Sequence, residues 1–106
     1  MQKTGQRKLH LKMLKLREMN KNYENIQIID ANYVGEYIID LKFADNTIRR
    51  IDFGGFLKNH PHPQHNKYRK LQNFRRFKVS GGNITWGRDW DLIFNPRQLY
   101  EGINPQ

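Results

Sequence analysis

The chain has 106 residues, a formal net charge of +9, 37% hydrophobic residues and no cysteine. That length fits one domain with a single modest core, and the missing cysteine excludes disulfides, thiolate chemistry and cysteine-ligated zinc. No apolar run approaches the roughly 20 residues of a membrane span, and His10, Lys12 and Lys15 interrupt the stretch Leu9 to Leu16. Neither a spanning helix nor a signal-peptide core is therefore expected, and the cytoplasm is the expected compartment.

Residues 1–22 read as a basic N-terminal arm and residues 23–106 as a single domain. Within residues 1–18, Lys3, Arg7, Lys8, Lys12, Lys15 and Arg17 face only Glu18, so more than half of the net charge sits in this stretch. Leu9, Leu11, Met13, Leu14 and Leu16 make a loose apolar stripe on a helix. Two readings stay open for the arm: a solvated terminus, or a basic amphipathic helix that meets an acidic partner, RNA or a membrane surface. Met19 would also serve as the start of a compact domain, so residues 1–18 are either an arm or a consequence of start-site choice.

From Ile26 the pattern turns regular. Ile26, Ile28, Ala31 and Tyr33 predict a strand whose alternation slips near Ile29-Asp30, and Gly35 supplies a turn. Tyr37, Ile39, Leu41 and Phe43 fall on one face of a second strand. Asp45-Asn46 then makes a hairpin turn, because asparagine tolerates the left-handed conformation. The third strand, Thr47 to Phe53, has Ile48, Ile51 and Phe53 as inward positions and a bulge at Arg49-Arg50. A three-strand antiparallel meander is the simplest account.

Gly54-Gly55 ends this sheet, and Phe56-Leu57 packs back onto it. Lys58 to Asn66 is a loop by composition. Tyr68 to Phe74 suits about two helical turns, with Tyr68, Leu71 and either Gln72 or Arg75 at the three- and four-residue spacings of one helix face. A strand over Arg75 to Ser80 follows, with Phe77 and Val79 opposite Arg76 and Lys78, and Gly81-Gly82-Asn83 turns the chain back. A second turn at Gly87-Arg88-Asp89 separates Trp86 from Trp90. Leu92-Ile93-Phe94 is a last apolar segment, and Asn95-Pro96 opens a terminal helix through Glu101, with Leu99 and Tyr100 as its anchors. The fold class is α+β: one small, mainly antiparallel sheet with a short helix before the fourth strand and another at the C-terminus.

Three constellations carry candidate chemistry. His60, His62 and His65 are the weak metal candidates, since imidazole suits zinc, nickel or copper. Pro61 and Pro63 impose extended backbone that leaves only His62 and His65 on a common face. The loop has no acidic residue to complete a site, so no metal is expected. Asp89 and Asp91 invite reading as a carboxylate pair, yet no other acid converges on them. A turn is expected instead, with Asp89 satisfying backbone donors, Trp86 inward and Asp91 paired with Arg75 or Arg76. No nucleophile with a base and no phosphate-loop fingerprint is present, so no catalytic residue, cofactor or small-molecule substrate is expected.

The third constellation is a basic face. Lys67, Arg69, Lys70, Arg75, Arg76 and Lys78 are interleaved with Tyr68, Phe74 and Phe77, and the run Asn66 to Lys78 contains no acid. That mix suits a nucleic-acid backbone, and a solvated amphipathic face gives the same pattern. With Arg88, these residues are the candidate nucleic-acid or partner-binding set.

The stretches YIIDLKFADNTIRRIDF, KYRKLQNFRRFKV and ITWGRDWDLIFNPRQLYEG resemble the bacterial domain-of-unknown-function family 2442. The matching positions are Phe43, Asp52, Phe53, Leu71, Phe74 or Phe77, Trp86, Asp91, Leu92, Pro96, Leu99 and Tyr100, spread over residues 26–102. Asn46, Arg97 and the His-Pro insertion depart from the family's pattern. The resemblance implies a small α+β domain without an assigned activity, sometimes fused to a helix-turn-helix and often encoded beside a second small reading frame in toxin–antitoxin-like pairs. With Gln106 as the last residue, no fused DNA-binding module is expected. Two functional expectations result. One is a non-enzymatic binding module, the antitoxin-like or regulatory protein partner of a two-gene pair. The other is a weakly sequence-specific nucleic-acid-binding accessory protein that uses the arm and residues 67–78.

Overall fold

The computed structural model describes residues 26–106, so the expected arm over residues 1–22 lies outside the described residues. Strands β1 (Ile28–Gly35), β2 (Ile38–Phe43) and β3 (Ile48–Asp52) form the expected antiparallel meander. Ile39, Leu41, Phe43 and Ile51 point to one side and are fully buried, as period-two alternation requires. The β2–β3 turn uses Asn46 at φ 72, with the Asp45 carboxylate accepting the Thr47 amide at 2.9 Å. Asparagine thus does here what a glycine would do.

The expected bulge at Arg49-Arg50 is corrected. Strands β2 and β3 pair without a slip, Ile39 opposite Ile51 and Leu41 opposite Arg49, and the irregularities lie in β1 near Ile29 and Val34. Unbroken alternation from Ile51 turns Ile48 outward, 58% exposed, instead of inward. Arg49 takes the core side at the sheet's margin. Its Nε donates to the Tyr100 carbonyl at 2.7 Å, and its guanidinium lies 5.6 Å from the Tyr100 ring centre. A long side chain can do this because its stem covers apolar surface while its charge reaches the rim.

Helix α1 (Gly54–Asn59) buries Leu57, and a 3-10 turn (Asn66–Arg69) and helix α2 (Leu71–Phe74) follow. The expected continuous helix from Tyr68 to Phe74 is broken at Lys70, which is extended at φ −82, ψ 127. Tyr68 and Phe74 are both buried. At about 100° per residue, one unbroken helix would set residues six apart on different sides. The break lets both face the core and leaves Leu71 exposed, so Tyr68 and Leu71 do not share the face that helical spacing predicts.

Strands β4 (Lys78–Ser80), β5 (Asn83–Trp86) and β6 (Leu92–Ile93) form a second antiparallel sheet, so there are two three-stranded sheets where one was expected. Gly81 and Gly82, both at positive φ, make the tight β4–β5 turn. The Gly82 carbonyl accepts the Ile28 amide at 2.9 Å, tying the second sheet to β1. Helix α3 (Pro96–Tyr100) begins as the sequence predicts, with Asn95 Oδ1 accepting the Arg97 amide at 3.0 Å.

Trp86 is the centre of the core. It is fully buried, its ring centre lies 5.3 Å from Phe53, 5.4 Å from Phe74 and 5.9 Å from Phe94, and its indole N–H donates to the Phe74 carbonyl at 2.7 Å. That bond satisfies the one polar atom the indole brings into an apolar interior. No helix among the described residues is long and apolar enough to cross a membrane.

Candidate functional site

The second sheet and the segment before it enclose a cleft of about 320 Å³ lined by Lys67, Tyr68, Asn73, Arg76, Lys78, Gly87 and Arg88. The 3-10 turn contributes Lys67 and Tyr68, α2 contributes Asn73, and the chain leaving α2 contributes Arg76. Lys78 comes from β4, and Gly87 and Arg88 come from the β5–β6 turn. Four of the seven expected basic residues therefore meet in one place.

Asp91 holds one wall together. Its carboxylate accepts the Tyr68 hydroxyl at 2.9 Å and lies 3.1 Å from the Lys67 ammonium. The Tyr68 hydroxyl first, and Lys67 second, hold the Asp91 carboxyl below the usual carboxylate range. Burial, reinforced by the Asp91 carboxylate, pushes the Tyr68 phenol up, and Asp91 raises the Lys67 ammonium. The expected partners of Asp91, Arg75 or Arg76, are thus replaced by Lys67. The reason is the broken helix, which carries Lys67 and Tyr68 toward the β5–β6 turn.

Gly87 makes this wall possible. At φ 87, a Cβ on it would stand 2.5 Å from Asp91 Oδ2 and 2.8 Å from the Tyr68 oxygen, so only glycine lets the strand end pass so close. Asn73 braces the same wall by donating Nδ2 to the Lys67 carbonyl at 2.9 Å.

With Asp91 engaged, Arg76, Lys78 and Arg88 have no acidic partner among the described residues. All three are exposed. They offer charge and hydrogen-bond donors to an anion, and the guanidinium forks suit the paired oxygens of a phosphate or carboxylate.

The remaining basic residues are elsewhere. Arg69 spends its guanidinium on the Leu57 carbonyl at 3.0 Å and the Lys58 carbonyl at 3.5 Å, while its own carbonyl accepts the Tyr37 hydroxyl. Arg75 lies over the Tyr33 ring at 4.8 Å. Lys70 marks the helix break and does not line the cleft. The interleaved aromatics are also committed: Phe74 is fully buried and Phe77 packs edge-on to Trp86.

The histidine loop is held by local contacts. His60 stacks on Phe56 and its Nε2 lies 2.7 Å from the Gln106 carbonyl. His62 and His65 have ring centres 5.0 Å apart, and His62 Nδ1 accepts the Gln64 amide at 3.1 Å. Among the described residues no group of three or more His, Cys, Asp or Glu side chains converges to hold a metal ion. Asp89 is exposed and accepts no hydrogen bond from the described residues, so the turn does not depend on it as expected.

Sequence reasoning did not single out Asn73 or Gly87 for the site. Gly87 carried a signal, a glycine between Trp86 and Arg88. Its closeness to Tyr68 is invisible without the fold.

The model of the family described as protein of unknown function (DUF2442) matches residues 28–105, and the chain belongs to that family. No curated protein and no solved structure matches the chain.

Proposed function

We propose that this member of a family of unknown function is a non-enzymatic binding module whose basic cleft receives the phosphate backbone of a nucleic acid. The observation that carries the reading is the convergence of Arg76, Lys78 and Arg88, without acidic partners among the described residues, on one cleft whose nearby carboxylate is already engaged. Positive charge gathered from separate chain segments suits a polyanion, and such binding depends on released counterions. Contacts to phosphate position a ligand without reading its sequence, so weak sequence preference accompanies this reading.

The test is fluorescence anisotropy of a labelled oligonucleotide over a salt series, with the full chain and an R76A/K78A/R88A variant. Loss of three phosphate contacts should lower the slope of log K against log salt by about 2 for a single strand. Absence of binding at low salt, or an unchanged slope in the variant, refutes the reading.

A second reading is favoured by a different observation. Ile29, Val34 and Ile48 of the first sheet are each roughly half exposed, which suits contact with a protein. This is the antitoxin-like or regulatory partner that the family resemblance implies. Co-purification from the native host followed by mass spectrometry tests it, and recovery of no stoichiometric protein would count against it.

A further inference from the structure

We propose that Trp90 is a stacking platform for an unpaired base, which makes the ligand of the basic cleft single-stranded and not duplex. This rests on the nucleic-acid reading of the cleft. The chain has two tryptophans with opposite fates. Trp86 is fully buried among aromatic rings, whereas Trp90 is 60% exposed and makes no ring contact with any described residue. Leaving an indole in water forgoes one of the largest burial gains any side chain offers.

The backbone adds a second cost at the same residue. Trp90 sits at φ 58, in the left-handed region that glycine and asparagine occupy with little penalty. The turn is closed by the Trp90 amide donating to the Gly87 carbonyl at 3.4 Å, a bond that any residue other than proline supplies. Neither packing among the described residues nor turn formation calls for tryptophan here. Strain kept at an exposed residue points toward a function for its side chain.

Its position supplies that function. Two residues before it, Arg88 lines the cleft, and directly after it Asp91 is tethered to Lys67 and Tyr68, both cleft residues. Two residues span at most about 7 Å, so the Trp90 backbone stands within that distance of Arg88, a cleft residue. The tether fixes the backbone at its base, which lowers the cost of ordering it when a ligand arrives. Phosphates in the cleft and a base on Trp90 together reproduce the charge-plus-aromatic arrangement of single-strand binding. The bases of a duplex are stacked on each other and cannot use such a platform. An exposed tryptophan also suits a protein interface, and the experiment separates the two.

The experiment compares the full chain with W90A, W90F and R76A/K78A/R88A on a short labelled oligothymidylate, on a duplex and with polyglutamate as competitor. Thermal melting checks each fold. The expected result is that W90A binds the single strand about 5- to 150-fold more weakly while losing little on the duplex, and that W90F retains most of the affinity. The oligothymidylate should also quench the exposed indole's fluorescence in the wild type and leave the buried Trp86 signal of W90F unchanged. If W90A matches the wild type on the single strand while the cation variant loses binding, stacking is refuted and the cleft reading stands. If the wild type binds no oligonucleotide at low salt, the cleft reading falls and stacking with it. Equal displacement by polyglutamate and by unlabelled oligothymidylate, with a W90A loss on both, overturns base stacking in favour of an acidic protein partner.

Discussion

Gly87→Ala tests the geometry of the cleft wall most directly. The added Cβ would meet Asp91 Oδ2 at 2.5 Å, Asp91 Cγ at 2.8 Å and the Tyr68 oxygen at 2.8 Å, on a backbone at φ 87. Holding an L-residue in the left-handed region costs roughly 1–2 kcal/mol. Relief of the clash must part Tyr68 from Asp91, and a hydrogen bond to a charged acceptor is worth about 1.5–3 kcal/mol. Together these come to about 3 kcal/mol, which in a domain of this size lowers Tm by roughly 10–25 °C. The assay is thermal and urea unfolding of the wild type, G87A, Y68F and the double variant. Y68F removes both the hydroxyl the Cβ would strike and the bond it would break. The double variant should therefore be more stable than the two single losses added together, by about 1 kcal/mol or more. A Tm loss in G87A of less than about 3 °C, or strict additivity, would refute the proposed contact.

Three further outcomes are expected. The carboxyls of Asp91, Asp45 and Asp40 are held low by the Tyr68 hydroxyl, the Tyr100 hydroxyl and the Arg50 guanidinium respectively. A pKa lower in the folded than in the unfolded chain gives stability that is complete above about pH 4 and is lost as pH falls through the lowered value. Tm measured from neutral to acid pH should drop in that window, and D91N should flatten part of the drop; an identical acid profile in D91N would show that Asp91 is not a contributor. Asn95→Ala removes the acceptor of the Arg97 amide and should cost about 1 kcal/mol in urea unfolding, with Asn95→Asp nearly neutral. Arg50→Ala breaks an ion pair with Asp40 in which Arg50 is 65% exposed, so no measurable loss of Tm is expected, and a loss as large as that of the Asn95 variant would contradict this.

Much of the fold was legible in the sequence because it is written in local rules. Asn46 and Gly81-Gly82 mark turns, the alternation of Ile39, Leu41 and Phe43 marks a buried face, and Asn95-Pro96 marks a helix start. The failures are equally physical. An isoleucine in a strand favours an inward place for Ile48, yet its side is decided by the register with β2. Helical spacing puts Leu71 on one face with Tyr68, yet burying both Tyr68 and Phe74 demands a break at Lys70.

The basic face shows the same division. Composition alone determined that residues 66–78 carry positive charge without acids and that cysteine chemistry is closed to this chain, while the order and spacing of its motifs carried the family resemblance. Which charges act together was decided by tertiary structure. Lys67, Arg76, Lys78 and Arg88 converge because the broken helix and the turn at Gly87 fold toward each other, while Arg69 and Arg75 are drawn to the Leu57 carbonyl and the Tyr33 ring. The interleaved aromatics followed the same logic: Phe74 and Phe77 went to the core, and the exposed tryptophan, Trp90, lies two residues along the chain from Arg88. Spacing along a chain reports local conformation, whereas proximity between separated segments is set by which side chains the core can bury, and that competition is settled only when the whole domain packs.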